Sequence, residues 1–280
     1  MNINFLKLFR FNFILSCFFC ILSFILIFFY KFNLGLEFVG GLELDVYYKH
    51  NIEINSIKNV FLDFKDVKVK KYGSKNTFQI RIKENYKKNE EIVNLLKSAF
   101  GENIIILRID YIGAEITRDI ISKSLYALFF AIFIMSFYLF IRFDYKFSLS
   151  AILALFHDIL IVLGVISFCN FELNLTVISA LFAVFGYSVN DTIIIFDRLR
   201  ENMLLYSDRN LEELINLSIN NTLSRTLATS FSTLFVVFII LIFSSDYLFV
   251  FSFVLFLGIA IGTYSSIYIA SFLFMLLNSK

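Results

Sequence analysis

Gly186-Tyr187-Ser188-Val189-Asn190-Asp191-Thr192 lies inside an apolar run, residues 173–196, long enough to cross a bilayer. The run therefore carries an amide and a carboxylate deep within a candidate membrane span. A carboxylate near the middle of a bilayer helix costs roughly 2.5–3.5 kcal/mol on insertion scales. A group retained at that cost points to use, in an ion or proton path or in a buried polar contact, and Asp191 is the leading candidate.

Working outward, five more segments approach the roughly 20 apolar residues a crossing needs: 11–31, 120–141, 147–169, 225–244 and 248–276. The 280 residues are 59% hydrophobic, with a mean hydropathy of +0.77, well above an ordinary soluble domain. Charges concentrate between Glu43 and Arg118, which separates one polar domain from a membrane bundle. The net charge of +2 gives no reason to expect nucleic acid. The first apolar run follows Lys7 and Arg10 as a signal peptide's would. It is longer than a signal's core and no small-x-small cleavage site follows, so a retained helix is expected.

Short-loop charges set the orientation. Lys7 and Arg10, Arg142 and Lys146, Arg198, Arg200 and Arg209, and Lys280 all fall on one side of six crossings. The opposite loops hold Glu172 and Asp246 and no Lys or Arg. Both termini are then cytoplasmic, and the polar domain lies outside. The expected fold is a multi-pass α-helical membrane protein with six transmembrane helices and one extracytoplasmic α+β domain between helices 1 and 2. Its divisions are 1–31 (N-terminus and first helix), 32–119 (outer domain with linkers) and 120–280 (five-helix bundle).

Within the outer domain, Leu42, Leu44, Val46 and Tyr48 alternate with Glu43, Asp45 and Tyr47, which is strand spacing. Asn55 is placed to cap a helix carrying Ile57, Val60, Phe61 and Phe64. Lys68-Val69-Lys70 and residues 78–82 flank Gly73-Ser74, a hairpin pattern. Asn89 precedes a second helix with Ile92, Val93, Leu95, Leu96 and Phe100, stopped by Gly101, and residues 104–109 read as a last strand. The order β-α-β-β-α-β is the ferredoxin-like arrangement. Its lysine-rich faces read as solvated surface.

Between the fourth and fifth spans, Asn210 with Glu213 resembles a capping box, and Leu211, Leu214, Ile215 and Ile219 share one face. A short amphipathic helix, within a cytoplasmic segment of about 198–224, is expected at the interface or docked on a partner. Cys17 and Cys20 form a C-x-x-C inside a span, where small apolar residues are the plainer reading, and Cys169 stands alone. No metal-ligand cluster, nucleophile elbow or phosphate loop is present, so neither a metal, a cofactor nor ATP chemistry is expected.

Few polar groups remain inside the spans. His157-Asp158 lies near the middle of the third, Asn190-Asp191 nearer the cytoplasmic end of the fourth, and Arg225 opens the fifth. Antiparallel fourth and fifth helices would bring Asp191 and Arg225 to similar depth, where a pair would lessen the burial cost of both and yield to protonation of the Asp. Arg225 can equally be a snorkelling anchor, and His157 and Asp158 can simply knit helices together. Gly258, Gly262, Ser266 and Ala270 recur every four residues, a ridge for close helix packing against this chain or a partner.

These motifs together resemble the SecF family, the smaller membrane subunits of the SecD–SecF complex of bacterial protein export. Residues 33–41, Ala154-Leu155-Phe156-His157-Asp158, the stretch from Gly186 through Asn202, Ser224-Arg225-Thr226-Leu227-Ala228-Thr229-Ser230 and Gly258-x-x-x-Gly262-Thr263-x-Ser265-Ser266 follow the family's motifs in order. Glu37 stands where the family has Asp, and residues 112–117 lack the family's Pro before the second helix. The resemblance implies an RND-type half bundle paired with SecD beside the SecYEG channel, with YajC and YidC as further partners. It implies a subunit without ATPase or other enzymatic activity, in the bacterial inner membrane. The complex would use the proton-motive force to draw unfolded polypeptides outward. Asp191 and Arg225 match the residues the family assigns to the proton path; Asn190, His157 and Asp158 are read from their place inside the spans as supporting polar groups. A passive scaffold for SecD and the channel, or half of a small-molecule RND exporter, are the alternatives.

Overall fold

The computed structural model describes residues 3–62, 64, 66–71, 76–83, 89–244 and 246–278. The chain divides into two compact units, Met1–Asn33 with Leu128–Lys280, and Leu34–Ala127.

Ten helices are described: α1 (Leu6–Tyr30), α2 (Leu36–Val39), α3 (Ile54–Val60), α4 (Asn89–Phe100), α5 (Ala114–Arg142), α6 (Tyr145–Phe168), α7 (Leu175–Leu205), α8 (Leu211–Phe243), α9 (Asp246–Ser265) and α10 (Ser271–Asn278). A π-helical turn, Ser266–Ala270, joins α9 to α10. Among the described residues, six helical stretches are long and apolar enough to cross a membrane, of 24 to 33 residues each, with Leu248–Asn278 as the sixth. At about 1.5 Å rise per residue, even the shortest exceeds the roughly 30 Å hydrocarbon core. The chain is a multi-pass membrane protein.

Burial sorts these helices. α6 and α7 supply much of the bundle's core, including Ala154, Val162, Val177, Ala180, Val184 and Ile195. α1 buries only Phe9, Ser16 and Ser23. It meets α6 where Gly164 leaves room: a Cβ there would lie 2.4 Å from Ser23 Cβ. α5 instead presents Phe129, Phe133 and Phe137, exposed and stacked along one side, as an apolar face suited to lipid.

Two expectations about helix ends are corrected. Residues 198–224 hold no separate short helix. α7 continues to Leu205, and after a short turn α8 runs unbroken from Leu211 into the fifth apolar run. No Gly or Pro interrupts 211–243, and Leu214, Ile215 and Ile219 are buried in the bundle rather than laid on a surface. Polar contacts fix this stretch as well: Asn202 Nδ2 donates to Ser218 Oγ at 2.7 Å. The backbone N–H groups of Ile3 and Phe5 donate to Asn220 and Asn216. Asn210 does occupy the N-cap position of α8 but makes no side-chain cap bond. Asn174, unremarked in the sequence, caps α7 by accepting from Val177 N at 2.9 Å.

In the second unit, strands β2 (Gly41–Tyr48), β3 (Val67–Lys71), β4 (Thr77–Ile82) and β5 (Ile104–Ile112) form one antiparallel sheet in the order β3-β4-β2-β5. Two-residue strands β1 (Asn33–Leu34) and β6 (Glu172–Leu173) lie outside it. Leu42, Leu44, Val46 and Tyr48 are all buried, and they share a core with Ile57 and Phe61 around α3, Ile92 and Leu96 of α4, and Ile80 and Ile82. Gly41 has φ +144°, and a Cβ would fall 2.2 Å from the Ile82 carbonyl oxygen, so only glycine fits the close crossing onto β4. Gly101 follows α4 at φ +60°, the left-handed stop its position promised. Asn55 is not a cap: Glu53 stands at the N-cap of α3, without a side-chain bond. The expected turn at Gly73-Ser74 lies outside the described residues.

Candidate functional site

The face of α7 that enters the bundle carries Ser188, Asp191 and Thr192, at the i, i+3, i+4 spacing that places side chains together. All three are buried, Asp191 to 5% exposure. Asn190, one residue away, points the other way and is exposed. It lines a groove of about 560 Å³ with Gly186, Val189 and Ile193 of α7 and Ala131, Ile134, Met135 and Tyr138 of α5.

Asp191 Oδ2 accepts from Ser230 Oγ of α8 and from Thr263 Oγ1 of α9, each at 3.2 Å. The two hydroxyls are themselves 2.7 Å apart, and Thr263 Oγ1 also lies 2.9 Å from the Ile259 carbonyl oxygen. Hydroxyls both donate and accept. With Asp191 ionised, both can point at it. With Asp191 protonated, its O–H can donate to one of them while Thr263 turns to Ile259. The site can hold either protonation state by rotating two O–H bonds, with no cation in contact among the described residues.

The expected Asp191–Arg225 pair is not formed. Arg225 lies five residues before Ser230 on α8, about 7.5 Å along the axis, and its side chain is exposed. The helices do run past each other at the expected level, but the register puts Ser230, not the guanidinium, opposite the carboxylate.

A second carboxylate sits on α6. Asp158 is fully buried. Its Oδ1 is 2.8 Å from His157 Nδ1, and its Oδ2 accepts from Ser188 Oγ of α7 at 2.5 Å and Ser265 Oγ of α9 at 2.7 Å. The two carboxylates thus share elements: Ser188 and Asp191 are three residues apart on α7, Thr263 and Ser265 two apart on α9.

The ridge on α9 is what lets these helices meet. A Cβ at Gly258 would lie 2.2 Å from Val184 Cγ2, and one at Gly262 would lie 3.0 Å from Ser188 Cβ. The glycines therefore face this chain's own α7. Ser266 is buried, donates to the Thr263 carbonyl at 2.9 Å, and opens the π turn. Single π turns inside α-helices recur at functional sites. The hydroxyl-rich run Thr263-Tyr264-Ser265-Ser266 was the available sign of unusual backbone demand, but serine and threonine are too common in spans to be singled out. The same applies to Ser188 and Ser230, which hold the carboxylates. Cys17 and Cys20 are free thiols on α1. Among the described residues, no group of three or more His, Cys, Asp or Glu is placed to hold a metal.

Residues 91–280 match the family model "Protein export membrane protein SecD/SecF, C-terminal". The protein translocase subunit SecF of Rickettsia conorii is 36% identical over 286 residues, covering 99% of this chain and 92% of that protein. The SecF subunit of Calditerrivibrio nitroreducens is 37% identical over 288 residues, covering 99% and 95%. The crystal structure of SecDF from Thermus thermophilus, a translocon-associated membrane protein, superposes with a TM-score of 0.87 at 28% identity. The match covers 100% of this chain but 39% of that one. A second SecDF structure, in a super-membrane-facing form, gives 0.73.

Proposed function

This chain belongs to the SecD/SecF family of protein-export membrane proteins, and from that premise we propose that it is the SecF subunit of a SecD–SecF complex that uses the proton gradient to assist export. It is an auxiliary subunit of Sec protein export and carries no enzymatic chemistry of its own. A SecD chain supplies the other half of the RND-type bundle, in keeping with the single SecDF chain of which this one covers 39%. The complex works in the inner membrane beside SecYEG, with YajC and YidC as further partners and unfolded polypeptides as cargo. Both termini are cytoplasmic and residues 32–119 lie outside. The ferredoxin-like reading of that outer domain is supported by its strand order, which is that of a β-α-β-β-α-β sheet.

The observation that carries the proposal is Asp191: a carboxylate buried to 5% exposure in a membrane helix and held, among the described residues, by hydroxyls that serve either protonation state. One proton crossing 100 mV releases about 2.3 kcal/mol, enough to change such a contact. In this reading Asp191 takes up and releases the proton. Arg225 enters the path when α7 and α8 rearrange, and Asn190 faces the other side of α7. The test is Asp191→Asn in cells: export should lose its dependence on the proton gradient while the mutant still co-purifies with SecD. Unchanged gradient-driven export would sink the idea.

A passive scaffold is the second reading, favoured by the way Asp191 stitches α7 to both α8 and α9. In that case Asp191→Asn should reduce assembly with SecD before it touches coupling.

A further inference from the structure

His157 is the one histidine in the bundle, and it is 92% buried (8% exposed) with Nε2 in contact with no hydrogen-bond partner among the described residues. Its other nitrogen, Nδ1, is held by Asp158 at 2.8 Å. Asp158 also receives two serine hydroxyls on Oδ2. Two serine hydroxyls donating to Oδ2 favour the ionised carboxylate, and an ionised Oδ1 accepts from Nδ1–H of His157. A neutral imidazole with its proton on Nδ1 has a bare lone pair on Nε2. The opposite tautomer would bury an N–H with no acceptor, at a cost of about 1–3 kcal/mol. The network therefore orients a vacant basic nitrogen inside the bundle.

The charge around it is one-sided. From α1, Cys20 is near enough to feel the Asp158 charge. From α7 the facing group is Ser188, with Asp191 three residues on. From α9 it is Ser265, flanked by Thr263, which bonds Asp191, and by Tyr264, whose hydroxyl is bonded to Ser16 and to the Asn12 carbonyl of α1. No Lys or Arg occurs in residues 11–30, 147–197 or 248–278. Arg225 of α8 is exposed and bonded to neither carboxylate. The counter-charge available to Asp158 is thus an imidazolium on His157.

We infer that the His157–Asp158 dyad is a second proton-binding site, distinct from Asp191, with Nε2 of His157 as the atom that takes the proton. Uptake changes the dyad from a net charge of minus one to zero and breaks no other bond. It also creates a buried Nε2–H for which this conformation offers no acceptor. The protonated dyad therefore favours a conformer that supplies one, and that preference is the coupling. Ser188 and Ser265 carry it to Asp191, since any slide of α9 against α7 changes the partners of both carboxylates at once. The inference rests on the proton-coupled reading for its purpose, but the site itself is testable without it.

The chain has two histidines, His50 and His157. Imidazole ¹⁵N spectra of the full chain, assembled with SecD in lipid bilayers, can therefore be assigned with a single His50→Gln control. As the sample is acidified from neutral pH, the His157 signal should pass from the Nδ1–H tautomer to imidazolium. In Asp158→Asn that transition should move, because the carboxylate beside the ring is lost. A signal that stays in one state on acidification, or is unmoved by Asp158→Asn, overturns the proposal even if export proves proton-driven. His157→Asn supplies a second readout, since its amide keeps a donor for Asp158 and removes the basic nitrogen. It should assemble with SecD and lose gradient-stimulated export; full retention of that stimulation would also overturn the proposal.

Discussion

A single residue type shows how closely chemistry depends on neighbours. Gly258 and Gly186 lie in adjacent spans, yet a Cβ on the first collides with Val184 at 2.2 Å and a Cβ on the second meets nothing within 4 Å. Val184 is fully buried and cannot yield cheaply. Gly258→Ala should therefore lose about 1–3 kcal/mol to overpacking. Gly186→Ala should gain up to about 1 kcal/mol from helix propensity. Thermal unfolding of each variant in detergent reads both, and equal effects would contradict the helix contact. Asp191 was legible from its cost alone, because burying a carboxylate in an apolar run is rare enough to mean something. Its partners were not legible. A hydroxyl is inexpensive to bury when it can turn back onto the carbonyl of its own helix, as Thr263 does onto Ile259, so burial cost does not single out Ser230 and Thr263 as it does Asp191.

At the scale of elements, hydropathy found six apolar helices, the fourth and fifth of them running well past the expected ends into 198–224, and the alternation of Leu42, Leu44, Val46 and Tyr48 found the central strand. Hydropathy failed at 198–224, where polar residues were read as the edge of the membrane and thus as the edge of a helix. A helix does not end where the solvent changes; it ends where capping or backbone chemistry ends it. Nothing in 211–243 does so. This predicts that Leu223→Pro, at the join between the polar and apolar parts of α8, removes an interior hydrogen bond and costs about 3 kcal/mol or more. Loss of the full-length chain from membranes, or a large drop in its unfolding temperature, is the expected result. A variant as stable as the parent would restore the two-helix description.

At the scale of the whole molecule, charge divides the chain as sharply as hydropathy does, and the two compact units answer to different solvents. The unit of residues 34–127, with its four-stranded sheet, can carry titratable groups that respond to the pH of surrounding water. Glu43 is one: burial pushes its carboxyl above the ordinary value of 4.5, and Arg81, bonded to it at 2.7 Å, pulls it partly back. A carboxyl raised in the folded state contributes stability that is fully present below its unfolded value and is lost as pH rises through the folded value. The window therefore opens near 4.5 and closes at the raised folded value, and above it the charged Glu43 depends on Arg81. Carboxyl ¹³C titration of Glu43 in the intact chain should show a midpoint above 4.5, and Arg81→Leu should move it higher still, by removing the lowering partner. In the same variant, the sheet should lose stability more steeply as pH rises through that interval, read from unfolding of β2 and β4. A midpoint that falls on loss of Arg81 would mean that the guanidinium does not offset the burial of Glu43, and that the four-stranded sheet owes no part of its pH response to this pair.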